Sequence, residues 1–326
     1  MTGQMRRTLS RLFSLLLGLL LFGIALWVLH RELAAYHYHD ILRRLGEISR
    51  VRLLLSLLFA FLSYLALSGY ESLGFRYINH PLSFKKIALA SFVGNAFSRS
   101  MGFPLLTGSA VRYRLYSSWG LSALEIANVI AFAGLTFWLG LLVVGGGVFL
   151  LMPIEIPSLL HLHFHTVRPI GAIFLLLVGV YLFWCALSRK RIKFRQWEFT
   201  LPSFPLALSQ TALTTMDWFV AGCTMFVLFP QTKGLTFPAV LGFFLLAQIA
   251  GMVSQIPGGL GVYETVMILL LKPFLPASTV LSSLLAYRAI YYLIPLALAT
   301  VLQGTYEALQ RRKSLVWLAK LFGQQA

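Results

Sequence analysis

QIPGGLGVYE, residues Gln255 to Glu264, interrupts an apolar run that starts near Pro238 and resumes through Leu271. Pro257 removes a backbone donor and clashes with the preceding helical turn, while Gly258, Gly259 and Gly261 open backbone conformations closed to other residues. A helix is expected to break here. In hydrocarbon an unpaired peptide group is costly, so a break at membrane depth survives only where protein or a water-filled cavity satisfies it. Glu264 follows the break directly, and an ionisable residue inside a hydrophobic stretch marks a candidate functional site. The alternative is a helix hairpin turning at the membrane surface, with Glu264 in water.

Apolar residues make up 58% of the 326-residue chain and charged residues 11%, with a mean hydropathy of +0.80. Soluble domains carry roughly 25% charged residues, so the chain reads as one integral membrane domain. Its net charge of +17 would point to nucleic acid in a soluble protein. Here the basic residues flank apolar runs, where they orient the chain and meet anionic lipid, and no nucleic-acid partner is expected. Cys185 and Cys223 fall in expected spans without metal or redox spacing and read as packing residues. His161, His163 and His165 would share one face if extended, but only Glu155 could extend such a set, so a surface loop is expected and no metal. No GxxxxGK, GxSxG or HExxH pattern argues for an ATPase, hydrolase or protease, and no cofactor is expected.

In chain order, Leu12–Leu29 reads as a first span rather than a cleaved signal, and Arg6, Arg7 and Arg11 place the N-terminus in the cytoplasm. Residues 30–52 read as an amphipathic interfacial helix. Spans are then expected at Leu53 to about Gly74, Ile126–Ile154, Pro169–Leu187, Pro205–Phe229 and Ser278–Tyr306, with residues 307–326 as a cytoplasmic tail. The dense basic cluster Arg189, Lys190, Arg191, Lys193 and Arg195 falls on the cytoplasmic side only if Ile87–Arg114 dips into the bilayer and returns to the same face, turning near Gly102–Gly108. Arg311, Arg312 and Lys313 require Pro238–Leu271 to do the same from the outer face. The expected fold class is therefore all-α: about six full spans plus two oppositely oriented re-entrant hairpins. Pro104 and Gly108 align with Pro257 and Gly261 at one offset, so residues 53–150 and 206–306 read as halves of an inverted repeat, a design that places substrate at the midplane.

Three stretches resemble one family in that family's order: GFPLLTGSAVRYRLY from Gly102 to Tyr116, QIPGGLGVYE, and LLAYRAIYYLIP over 284–295. The family is the membrane flippase region of the bifunctional lysyl-phosphatidylglycerol synthetase/flippase (MprF) proteins, and the chain is still more similar to the stand-alone YbhN-like inner-membrane type. The resemblance covers nearly the whole chain. It implies a multi-pass protein of the bacterial cytoplasmic membrane that moves phospholipids between leaflets, with re-entrant helices lining cavities open to either side. The chain stops at Ala326 without a soluble aminoacyl-transferring domain, so a lipid transporter is expected rather than a synthetase, and lysyl-phosphatidylglycerol as substrate is in doubt.

Carrying a phosphate through hydrocarbon calls for fixed guanidinium groups, which offer paired, charge-assisted hydrogen bonds. Arg112 is the expected phosphate-capture residue, or else an interfacial anchor, and Arg114 should point away from it. Arg288 lies inside an uncharged span with Tyr291 and Tyr292 on its face. A central arginine costs at least ~2.5 kcal/mol on insertion scales, so a lipid phosphate or Glu264 must compensate it, and alanine at 288 is expected to stop transport without unfolding the chain. Asp217, mid-span, could take a headgroup amine, carry a proton, or be a satisfied carboxyl bonded to Thr214 or Thr215. Arg99 is expected near the tip of the first hairpin, facing the same cavity as Arg112, while Glu71 and Glu125 read as interfacial. The break residues are Gly102, Pro104 and Gly108 in the first hairpin and Pro257, Gly258, Gly259 and Gly261 in the second.

Two other function classes stay open: a membrane-embedded lipid-modifying enzyme using Glu264 or Asp217 as general base, and a non-transporting membrane partner of a separate lipid synthetase. Association with further copies of itself is open as well.

Overall fold

The structure, a computed structural model, describes residues 38–101, 104–152, 167–187, 191–194, 197–254 and 257–323. The helices are α1 (Tyr38–Glu47), α2 (Arg50–Tyr77), α3 (Phe84–Met101), α4 (Pro104–Ser118), α5 (Ala123–Leu151), α6 (Arg168–Leu187), α7 (Phe204–Phe226), α8 (Phe237–Val253), α9 (Val262–Leu271), α10 (Ala277–Arg288) and α11 (Ile294–Gly323). A 3-10 turn, Pro257–Gly259, joins α8 to α9, and a π turn, Ala289–Leu293, joins α10 to α11. The helical expectation holds, with one addition. The basic segment after α6 forms a small antiparallel ribbon of β1 (Arg191–Phe194) and β2 (Trp197–Thr200), pairing Arg191 with Thr200 and Phe194 with Trp197.

Among the described residues, four helical runs are long and apolar enough to cross a membrane: α2, α5, α6 and Ala277–Ala308. The expected first span, Leu12–Leu29, lies outside the described residues, as do the histidines at 161, 163 and 165, Gly102, and Arg189, Lys190 and Arg195 of the basic cluster. Helix α7 has 23 residues, about 35 Å of helix. Its apolar run is diluted by Gln210, Thr211, Thr214, Thr215 and Asp217, and Gln210, Thr214 and Asp217 are buried. Polar groups thus face inward while Leu176, Phe183, Trp184 and Leu187 of α6 face outward. That inversion suits hydrocarbon surroundings, where helices associate through polar and small residues rather than by hiding leucines.

Helices α2 and α7 pack against each other at the centre. The pair α3–α4 contacts α2, α5 and α11, and the pair α8–α9 contacts α7, α10 and α5. Each interrupted pair therefore lies on the long helix before it, the one after it, and the last long helix of the other half. Helix α1 packs on α10, with Leu45 and the following Ile48 against the main apolar cluster, so the expected interfacial helix is anchored to the bundle. Gly146 of α5 and Gly171 of α6 bring those helices together, since a Cβ at Gly171 would sit 2.9 Å from the Gly146 carbonyl.

Local chemistry fixes where the helices end. Asn79, at φ 54°, closes α2 in a left-handed cap, with His80 N–H donating to Phe75 O at 3.2 Å and Asn79 N–H to Arg76 O at 3.2 Å. Ser122 opens α5 through a capping box with Glu125, whose Oε1 lies 2.9 Å from His80 Nδ1. Ser122→Ala is expected to lower stability by about 1 kcal/mol, read as a lower unfolding temperature of the detergent-solubilised protein.

Candidate functional site

The break after α8 forms as its residue types dictate. Gly258, Gly259 and Gly261 all take positive φ, at 62°, 62° and 81°, and a Cβ at Gly259 would lie 3.0 Å from Gly251 Cα. Any other residue here meets both an unfavourable backbone and a backbone neighbour. The break leaves polar backbone groups that side chains then satisfy. Gly261 N–H donates to Glu264 Oε2 at 2.8 Å, closing the first turn of α9. Arg288 Nε donates to Glu264 Oε1 at 2.8 Å, Nη2 lies 2.7 Å from the same oxygen, and Nη1 donates to the Gly258 carbonyl at 2.7 Å. Its guanidinium lies over the rings of Tyr292 (4.9 Å) and Tyr263 (5.4 Å). Arg288 and Glu264 are both buried, so each compensates the other's desolvation.

The tips of the two interrupted pairs meet at this point. A Cβ at Gly258 would fall 3.7 Å from the Arg99 carbonyl oxygen, and Arg99 is in the last turn of α3. A cavity of about 30 Å³ lies between them, lined by Arg99, Ser100, Gly258, Leu260, Arg288 and Tyr292 with Leu293. The Arg99 guanidinium lies 4.9 Å from the centre of the Tyr291 ring and 5.9 Å from that of Tyr64. Among the described residues no carboxylate lies within ion-pair distance of Arg99. Among the described residues, the cavity thus presents a compensated cation, Arg288, beside a cation, Arg99, that lies on aromatic faces without an ion pair.

Asp217 sits behind these rings and is buried. Its Oδ1 accepts from Ser63 Oγ at 2.5 Å and its Oδ2 from Tyr70 OH at 2.6 Å. Ser63 Oγ is also 2.6 Å from Tyr291 OH, and Tyr70 OH is 2.9 Å from Thr214 Oγ1. Tyr263, Tyr287 and Tyr291 stack in a column, with centroids 6.1 and 5.2 Å apart and planes inclined by 18° and 15°.

A second ion pair supports the first tip. Arg112 of α4 donates from Nε to Glu71 Oε1 at 2.7 Å, its Nη2 is 2.7 Å from that oxygen, and Tyr116 OH donates to Glu71 Oε2. The guanidinium passes between α3 and α4 where Gly94 and Gly108 leave room. Arg114 points elsewhere, pairing with Glu307 at 2.7 Å.

The sequence expectations therefore divide. The structure brings Arg99, Arg288, Glu264, Tyr291 and Tyr292 together, and Tyr291 turns its face to Arg99 while Tyr292 lies under Arg288. Arg112 does not line the cavity: its Nε and Nη2 are committed to Glu71. Glu71 is not interfacial but fully buried, because Arg112 and Tyr116 supply partners for both its oxygens. Gly108 is not a break residue. It lies within α4, and a Cβ there would approach the Gly94 carbonyl at 2.8 Å, so its smallness serves helix packing. Pro104 begins α4, where a missing N–H costs nothing. Asp217 draws its donors from Ser63 and Tyr70 on α2, not from its own threonines, since Thr215 bonds back to Thr211 O. Ser63, Tyr64 and Tyr70 escaped sequence reasoning. Their only sequence signal is a run of polar residues at helical spacing within α2.

Comparison with known proteins places these features in context. The family model described as "Lysylphosphatidylglycerol synthase TM region" matches residues 9–299. The chain is 42% identical over 297 residues to the protein slr0712 of Synechocystis sp., covering 91% of this chain and 92% of that one. It is 33% identical over 266 residues to the inner membrane protein YbhN of Escherichia coli, covering 81% and 83%. It is also 24% identical over 319 residues to a phosphatidylglycerol lysyltransferase of Staphylococcus aureus, covering 90% of this chain and 34% of that protein.

Proposed function

The chain belongs to the lysylphosphatidylglycerol synthase transmembrane-region family, and from that premise we propose that it is a phospholipid translocase of the bacterial inner membrane. In this reading α3–α4 and α8–α9 are re-entrant hairpins entering from opposite faces, α7 and the segment before α1 complete six spans, and both termini are cytoplasmic. The matching contacts of the two interrupted pairs support an inverted repeat, with substrate at its centre.

The observation that carries the proposal is Arg99, a cation at the meeting of the two tips, beside Arg288 and without a carboxylate partner among the described residues. A guanidinium held on aromatic faces keeps its hydrogen-bond donors for an incoming anion. Both oxygens of Glu264 are engaged, and neither Glu264 nor Asp217 lines the cavity. Among the described lining residues the site then holds one cation without an ion pair and no carboxylate for an amine, which favours a singly anionic phosphodiester over an aminoacylated headgroup. Glu264 fixes Arg288 and caps α9, and Arg112 braces the first hairpin.

Arg99→Ala is expected to slow transbilayer movement of fluorescent phosphatidylglycerol in reconstituted vesicles by about tenfold or more, the loss of a charge-assisted hydrogen bond being worth roughly 1.5–3 kcal/mol. The variant should keep the wild-type elution profile, because among the described residues Arg99 makes no ion pair. An unchanged rate would overturn the assignment, and a change in lipid mass rather than sidedness would turn the reading toward a lipid-modifying enzyme.

A further inference from the structure

Asp217 plays no part in that cavity's surface, yet it is a carboxyl buried in the middle of the bundle. Two hydroxyl donors hold it, Ser63 Oγ at 2.5 Å and Tyr70 OH at 2.6 Å, and no cation lies within ion-pair distance among the described residues. The charged or titratable groups facing it are Tyr64 and Tyr70 from α2, Arg99 from α3 and Tyr291 from the π turn. Helix α8 carries no charged residue, Arg288 of α10 is tied to Glu264, Tyr181 of α6 is bonded to Gln210, and Glu125 of α5 is held at the helix start by Ser122. Among the described residues, Arg99 is thus the one cation outside an ion pair that faces Asp217. The two are joined by a row of oxygens, Asp217 Oδ1, Ser63 Oγ and Tyr291 OH, ending in the ring beneath the Arg99 guanidinium.

We propose that Asp217 is the proton site of a coupled translocation, taking up one proton when an anionic phosphodiester occupies Arg99 and releasing it when the anion leaves. This rests on the translocase reading above. The physical cause is charge compensation. With the cavity empty, Arg99 offsets the ionised carboxyl across the tyrosines, and once a phosphodiester neutralises Arg99 a bare carboxylate in a dry interior is strongly disfavoured. The proton comes from water, bonds to a carboxylate oxygen and returns to water on release, with no oxidation or reduction. Serine and tyrosine hydroxyls both donate and accept, so the row reverses direction when Asp217 becomes a donor. One negative lipid and one proton then cross together, and the cycle responds to a pH gradient rather than to membrane potential.

The test adds dihexanoyl-phosphatidylglycerol, a phosphodiester that does not titrate near neutrality, to the full chain in weakly buffered detergent containing a pH indicator. Expected are uptake of about one proton per bound lipid and an affinity falling about tenfold per pH unit as Asp217 deprotonates, the slope of a single linked proton. Asp217→Asn is expected to bind with no uptake and a pH-independent affinity. Should that variant fail to fold, the wild type alone still decides, because the carbonyl band of a protonated carboxyl, told from the lipid's ester carbonyls by its shift in heavy water, must appear in its infrared difference spectrum on lipid addition. Binding without uptake, or uptake that persists in Asp217→Asn, would overturn the coupling while leaving the translocase reading intact. No binding by the wild type would remove the site and the coupling together.

Discussion

Replacing Arg288 by alanine is expected to destabilise the protein by about 3–5 kcal/mol, because the change strands Glu264 as an unpaired buried carboxylate. The Gly258 carbonyl loses its donor as well. The sequence alone led to the opposite expectation, an intact fold without transport, with Glu264 or a lipid phosphate as the partner of the mid-span arginine. The pair makes the two roles separable. Arg288→Met combined with Glu264→Gln leaves no charge at this pair and keeps an oxygen for Gly261 N–H, so most of the lost stability should return while vesicle transport stays impaired. The measurement is the temperature at which the solubilised protein leaves its monodisperse elution peak. Wild-type stability in Arg288→Ala would mean that the pair is open to water. Wild-type transport by the double variant would remove Arg288 from lipid binding.

Gly108→Val is the second large effect, expected at roughly 3 kcal/mol or more. A Cβ at 108 would reach to 2.8 Å from the Gly94 carbonyl and from Arg112 Nη1, and would overlap the Ser98 side chain. Backbone cannot yield as a side-chain tip does, so α3 and α4 must part, and the guanidinium that braces them through Glu71 loses its slot. Gly147→Ala is the control. It has nothing within 4 Å of the added methyl and should change stability by no more than about 1 kcal/mol. Equal behaviour of the two variants would show that the α3–α4 contact is looser than described.

Local chemistry was legible in the sequence, and long-range partnership was not. Pro257 and three glycines announced a break because proline and glycine act on their own backbone. The link between Arg288 and Glu264 was readable for a related reason: each is costly alone in an apolar run, and few candidates were in reach. Glu71 sits toward the end of such a run, where a carboxylate has a cheap explanation in water, and nothing nearby reveals that Arg112 and Tyr116 fold over it. Asp217 posed the same difficulty, its donors lying about 150 positions earlier in the chain. Gly108 was misread because glycine serves two purposes, bending a chain and letting two helices touch, and spacing does not distinguish them. The π turn adds a subtler effect: with Arg99 also present, Tyr291 and Tyr292 serve different cations instead of sharing one.

A chamber of about 30 Å³ has room for one or two waters, far short of a glycerophosphate group. A guest of that size therefore needs the tips to draw apart. Where the tips meet, Gly258 lies against the Arg99 carbonyl, a contact of glycine on main chain. Bare main chain sliding on glycine forfeits little dispersion energy and requires no rotamer to unwind. In the proposed transport cycle such a contact parts while the Arg288–Glu264 and Arg112–Glu71 pairs stay made.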